Sequence, residues 1–183
     1  MSLYNEIFGI LPSVAKFSKV SLQQFTTDVQ SEFGITYTPD EIEAIYDSIT
    51  LPRRATKGSA GYDIFSPFRL VIKSGQTAKV PTGIRVAMTA GWFFAIFPRS
   101  GMGFKTLMRL GNTVGIVDQD FWEADNEGHI HIKLVNSSEH KSPITIQQGK
   151  AFAQGVFMPF GITVDDDTDG ERVGGFGSTD AHE

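Results

Sequence analysis

Cysteine is absent from the 183 residues, and that one absence removes disulfide frameworks, thiolate metal sites and cysteine nucleophiles together. It suits a reducing compartment, and a cytoplasmic location is expected. Long apolar runs are lacking too: nothing approaches the roughly 20 residues that a membrane span requires, so no membrane association is expected. The opening MSLYNEIFGILPSV has no basic lead, is interrupted at Pro12 and runs into no small-residue cleavage pattern, which argues against a signal peptide. A basic excess is also missing. With a net charge of −5 the chain has no electrostatic footprint for a long nucleic acid. A small anionic ligand stays compatible, because local basic side chains and backbone N–H groups bind phosphates even in an acidic protein.

What is there reads as one ordinary globular domain over 1–183, with 40% hydrophobic and 20% charged residues. A first strand is expected over 13–21. The period then changes. Ser21 opens a helix carrying Leu22, Phe25, Val29 and Phe33 at helical spacing and stopping at Gly34. Thr38, Pro39 and Glu41 form the N-cap, first position and capping box of a second helix with Ile42, Ile45, Tyr46 and Ile49 on one face. Together, 21–49 reads as a helical hairpin. From Leu51 to about residue 160, short Val-, Ile- and Phe-rich runs alternate with Gly, Pro, Asn and Ser punctuation. Many short strands at close spacing predict a β-sandwich or jelly roll. The segment 165–183 is acidic, then glycine-rich, and is expected to be a mobile arm.

Five segments hold residues that packing alone does not call for. Gly58-Ser59-Ala60-Gly61-Tyr62-Asp63 brackets a carboxylate with small residues where a strand begins. Phe97-Pro98-Arg99-Ser100-Gly101-Met102-Gly103 ends an apolar strand with a guanidinium, a hydroxyl and glycines, the groups polyphosphate oxygens require; the bland alternative is a hairpin turn with a solvated arginine. In Leu110-Gly111-Asn112-Thr113-Val114-Gly115-Ile116-Val117-Asp118-Gln119-Asp120-Phe121, Asp118 sits at the end of a strand, where a sheet can hold a general base for water at one place. Turn capping is the alternative there, and Asp120, Glu123, Asp125 and Glu127 are expected in a solvated loop. The strand after Gln148-Gly149 carries Gln154 among apolar neighbours, as a core hydrogen-bonding group or a ligand contact. Gly174-Gly175-Phe176-Gly177-Ser178-Thr179 combines glycines, whose amides converge on anions, with a ring that stacks on a base. His129 and His131 are expected at surface strand positions, not at a metal. Asp165, Asp167 and Asp169 open like an EF-hand loop but meet Phe176 where a glutamate is needed, so calcium is not expected.

In this order, the five segments resemble the five motifs of the trimeric dUTPase family over about Leu51 to Asp180. The resemblance implies a mainly β, jelly-roll-like (β-clip) subunit in a homotrimer that hydrolyses dUTP to dUMP and pyrophosphate with Mg²⁺. Each active site is then shared: the first, second and fourth motifs come from one subunit, the third from another and the arm from the remaining one. By the same resemblance Asp118 activates the attacking water at the α-phosphorus. Arg99, Ser100, Gly101 and Gln154 hold the triphosphate, and Asp63 supports the metal indirectly, through water. Asn112, the backbone from Ile116 and Val117 to Asp118, and His131 read uracil, while Arg172, Phe176, Gly177, Ser178 and Thr179 close over the nucleotide. Phe121 stands where the family has a tyrosine against deoxyribose.

The sequence departs from that pattern in the longer loop at 122–127, in one residue fewer between Arg172 and Gly174-Gly175, at Asp180, and in the helical segment 21–49. That segment is expected to be a peripheral insertion, removable without loss of trimer or turnover, or else a surface for an unknown protein partner. A dCTP deaminase or bifunctional relative on the same fold, and a nucleotide-gated regulatory binding protein, are the competing readings.

Overall fold

The computed structural model describes residues 11–138, 142–170, 172 and 174. It is mainly β. Strand β1 (Ala15–Lys19) is followed by helices α1 (Leu22–Phe33) and α2 (Pro39–Ser48). Then come β2 (Arg53–Arg54), β3 (Tyr62–Phe65), β4 (Leu70–Ile72), β5 (Thr77–Pro81), β6 (Ile84–Met88) and β7 (Trp92–Pro98). A short helix α3 (Ser100–Thr106) leads to β8 (Met108–Leu110) and β9 (Gly115–Val117), with β10 (His131–Asn136), β11 (Ile144–Ile146) and β12 (Ala151–Pro159) after them.

Four sheets result, ordered β1-β6, β5-β10-β8, β11-β4 and β2-β3-β12-β7-β9, and every strand pair within them is antiparallel. Alternation along the strands explains which faces are inward: Leu134 and Ile132 of β10 are buried while Lys133 between them is exposed. Phe94 of β7 sits at the centre, with the rings of Phe17 and Phe157 at 5.3 Å and 4.8 Å. The backbone comes so close to it at Gly155 that a Cβ there would lie inside the Phe94 ring's contact distance.

Local chemistry builds the helices as the pattern requires. The Ser21 side chain accepts from Gln24 N–H, and Gly34 ends α1 with φ 61°. The Thr38–Glu41 capping box is complete, with Pro39 at the start of α2. Their apolar faces are part of the main core: Phe25, Val29 and Ile42 are fully buried, each such side chain contributing about 1.5–3 kcal/mol. Polar ties add to this. Ser21 donates through N and Oγ to Glu127 at 2.8 Å and 2.6 Å, and Tyr46 Oη donates to the Val20 carbonyl at 2.7 Å. Glu127 is therefore a helix-anchoring carboxylate, not a solvated loop residue. Removing the helices would uncover Phe68 and His129, so indifference to their deletion is no longer the expectation.

Three elements escape the sequence reading. Helix α3 contains Gly101 and Gly103, poor helix formers, and so reads as a turn. Strands β2 and β8 are two and three residues long, and Arg53-Arg54 and Met108-Arg109-Leu110 lack the Val, Ile and Phe that mark the other short strands.

Candidate active site

The first group of candidate residues gathers where β3, β7 and β12 meet. Register places Gln154 opposite Asp63 on one side and Phe97 on the other. Asp63 Oδ1 lies 2.9 Å from Arg99 Nε, and Gln154 Nε2 donates to the Pro98 carbonyl at 3.1 Å. The Gly61 backbone packs against the Gln154 amide, and a Cβ at this position would come within 2.7 Å of Gln154 Oε1 and push that side chain aside. Ser100 and Gly101 follow directly as the first residues of α3, whose opening turn closes on the Arg99 carbonyl through Met102 and Gly103 N–H. The Arg99 side chain remains 42% exposed: its guanidinium is held by Asp63 through Nε and reaches the Ala151 carbonyl from Nη1 at 3.5 Å, which leaves its exposed part available to an anion.

The second group surrounds the β8–β9 connection. Val114 N–H donates to the Asn112 carbonyl at 2.7 Å, and Thr113 between them takes φ 65°, giving a tight turn with little freedom. Beside it lies a cavity of about 370 Å³ lined by Asn112, Gly115, Ile116, Val117 and His131, with Lys79 and Lys133 also on its wall. Its walls are largely backbone and aliphatic, which suits a flat, neutral ring with a polar edge.

Asp118 follows β9 and occupies the N-cap position of the 3₁₀ turn Gln119–Glu123, but its side chain makes no capping hydrogen bond. Arg172 bridges it to its neighbour: Nη2 lies 2.6 Å from Asp118 Oδ2 and Nε 2.8 Å from Asp120 Oδ1. Asp120 is thus paired and not simply solvated. The same guanidinium lies 5.6 Å from the Phe121 ring. Phe121 is 4% exposed and belongs to the core, and neither neighbouring cavity is lined by it. Among the described residues no hydrogen bond or ion pair joins the Asp63, Arg99 and Gln154 group to the Asp118 and Arg172 group. Phe176, Gly177, Ser178 and Thr179 lie outside the described residues.

One expectation is corrected outright. His129 is not a surface strand residue: its side chain is fully buried, and β10 begins only at His131. The alternating pattern misleads because the two rings meet edge to face, 4.5 Å apart, against a partner 101 residues away, Asp28 of α1. Burial holds the His129 imidazole below its ordinary value, against the opposing pull of Asp28. For Asp28, burial alone would raise the carboxyl, but hydrogen bonds from His129, His131 and Gln24 outweigh it and keep the acid far below its usual range. No local signal in the sequence marks Asp28, which has the setting of any polar residue on an amphipathic helix.

The dUTPase family model matches residues 47–180. The deoxyuridine 5'-triphosphate nucleotidohydrolase of Lactococcus lactis subsp. lactis (strain IL1403) is 38% identical over 136 residues, covering 73% of this chain and 89% of that one. Its counterpart from Tolumonas auensis is 37% identical over 146 residues, with 75% and 92% covered. The crystal structure of dUTPase from Streptococcus mutans superposes with a TM-score of 0.61 at 30% identity, over 80% of this chain and 97% of that chain. With an aspartate at the end of β9, a tight turn and cavity beside it, and a match that spans β2 to β12, the chain belongs to the dUTPase family.

Proposed function

We propose that this protein hydrolyses dUTP to dUMP and pyrophosphate. The observation that carries the reading is the placement of Asp118: it leaves the end of β9 directly beside the cavity walled by the β8–β9 turn. A base bound there presents its polar edge to rigid backbone around Asn112, Ile116 and Val117. Such an edge rejects cytosine because an ill-matched exocyclic group leaves buried donors or acceptors unpaired, a factor of about 10⁴ or more. Thymine is refused by the tightness of the turn, since a yielding apolar pocket would discriminate a methyl group by only about 1–3 kcal/mol.

Asp118 then accepts a proton from the water that attacks the α-phosphorus, and pyrophosphate leaves in line. Arg99, Ser100, Gly101 and Gln154 orient the triphosphate, and Arg172, paired with Asp118, is redirected to phosphate when substrate enters. Phe121 supports the ground under Arg172, and Phe176, Gly177, Ser178 and Thr179 complete the closure. Asp63 is a single carboxylate already paired with Arg99, a donor set suited to holding a hydrated Mg²⁺ through water, not to direct chelation. When bound, the ion supplies charge neutralisation on the phosphate oxygens.

The assembly is read as a homotrimer with shared sites, supported by the separation of the two residue groups within one chain. Helix α1 and all but the last two residues of α2 precede residue 47, where the family model begins, and the pair is read as an addition to the family's β core. A soluble cytoplasmic enzyme follows from the same reading. The test is pyrophosphate release from a panel of dUTP, dCTP, dTTP and UTP by the wild type and Asp118→Asn. Turnover of dUTP alone, lowered about 10²–10⁴-fold by the substitution, is expected for a lost general base. Undiminished hydrolysis in the variant removes Asp118 from the role.

A further inference from the structure

His131 lines the cavity beside the β8–β9 turn, yet the group that holds its ring comes from α1, outside the span matched by the family model. Asp28 turns one carboxylate oxygen, Oδ2, towards both imidazoles. His129 Nδ1 lies 2.5 Å from it and His131 Nε2 3.4 Å from it. Gln24 Nε2, one turn earlier on α1, donates to the same oxygen at 2.8 Å.

Proton positions follow from the far side of the network. Gly83 N–H donates to His129 Nε2 at 2.7 Å, so the neutral ring carries its proton on Nδ1 and gives it to Asp28. His131 Nε2, 3.2 Å from that protonated nitrogen, has Asp28 as the acceptor it can use. The same three atoms lie within 4.8 Å of one another, and two imidazoles with a carboxylate form a donor set that zinc accepts. The polarity is wrong for a metal, however. A ligating imidazole directs its other N–H to an acceptor, whereas the other nitrogen of His129 faces a backbone donor.

We propose that Asp28 is a positioning residue for nucleotide recognition: through His129 and His131 it fixes the wall of the base cavity, making helix α1 part of the specificity apparatus. This rests on the assignment of that cavity to the deoxyuridine moiety. His129 cannot turn, because its ring is enclosed and anchored at Gly83. His131, 11% exposed along its side chain, is the member released when the carboxylate is lost. The consequence falls on binding and not on the chemical step, since Asp118 takes no part in the network.

The test uses the full chain and compares Asp28→Ala, Asp28→Asn, Asp28→Glu and the packing control Val29→Ala in dUTP turnover and dUMP binding. Asp28→Ala raises KM for dUTP and Kd for dUMP about tenfold, the scale of one charged hydrogen bond, with kcat within about twofold. Asp28→Asn falls between, Asp28→Glu recovers part of the loss, and Val29→Ala lowers the unfolding midpoint while leaving KM unchanged. Unchanged KM in Asp28→Ala, or an equal rise in Val29→Ala, overturns the positioning role alone. Stoichiometric zinc in the purified protein, whose removal reproduces the Asp28→Ala effect, overturns it in favour of a metal site. A wild type that binds no dUMP and releases no pyrophosphate from dUTP sinks the assignment of the cavity, and the proposal with it.

Discussion

Replacing Phe25 by alanine is the most direct probe of how far α1 is built into this protein. The ring is fully buried and touches three different parts of the chain: Tyr46 on α2 at 5.8 Å, Phe68 before β4 at 6.1 Å and His129 before β10 at 6.1 Å between ring centres. Phe→Ala in a core costs about 3–5 kcal/mol, and where in that range depends on how far the surroundings can collapse into the hole. Here they are held from behind. His129 is fixed by Gly83 and Asp28, and Phe68 is wedged against Phe33 and Tyr37. The expected loss is therefore about 4 kcal/mol, near the middle to upper end. For a chain of this size that lowers the thermal midpoint by about 8–16 °C. Chemical denaturation followed through the fluorescence of Trp92 and Trp122, at one fixed protein concentration, measures it. A loss below about 1 kcal/mol would show that α1 is a dispensable cover and refute the reasoning.

Acidification should also destabilise the fold. His129 is lowered from its ordinary 6.5, chiefly by burial, so below that pH the unfolded chain takes up a proton that the folded chain declines. Asp28 is held under its ordinary 3.8, so its contribution is full above that value and is lost as pH falls further. The denaturation midpoint at pH 5 is thus expected below that at pH 7.5, and an equal or higher midpoint contradicts the network. Gly155→Ala drives a Cβ into the Phe94 ring and is expected to cost about 1–3 kcal/mol of stability by overpacking; a neutral result in the same denaturation assay would mean that β7 and β12 yield more easily than their register suggests.

Much of this protein was legible from its residues in order. Caps and periodicity located α1 and α2 because Ser21, Thr38, Pro39, Glu41 and Gly34 act within a few positions of themselves. The motif segments singled out Asp63, Arg99, Asp118 and Gln154, because each is a polar side chain set among glycines or apolar strand residues within a few positions of itself. Tertiary structure alone decided the remainder, for one reason: the deciding contacts join residues about 50 to 106 positions apart. Asp28 meets His129 and His131 across 101 and 103 positions, from 129 − 28 and 131 − 28. Glu127 anchors Ser21 across 106, and Arg172 covers Asp118 across 54. Alternation assigned His129 to the surface because a period reports which way a side chain points, not what waits there. A helix placed over that face joined two apparently solvated imidazoles and a nondescript aspartate into one network, with His129 fully buried, at the edge of the cavity beside the β8–β9 turn.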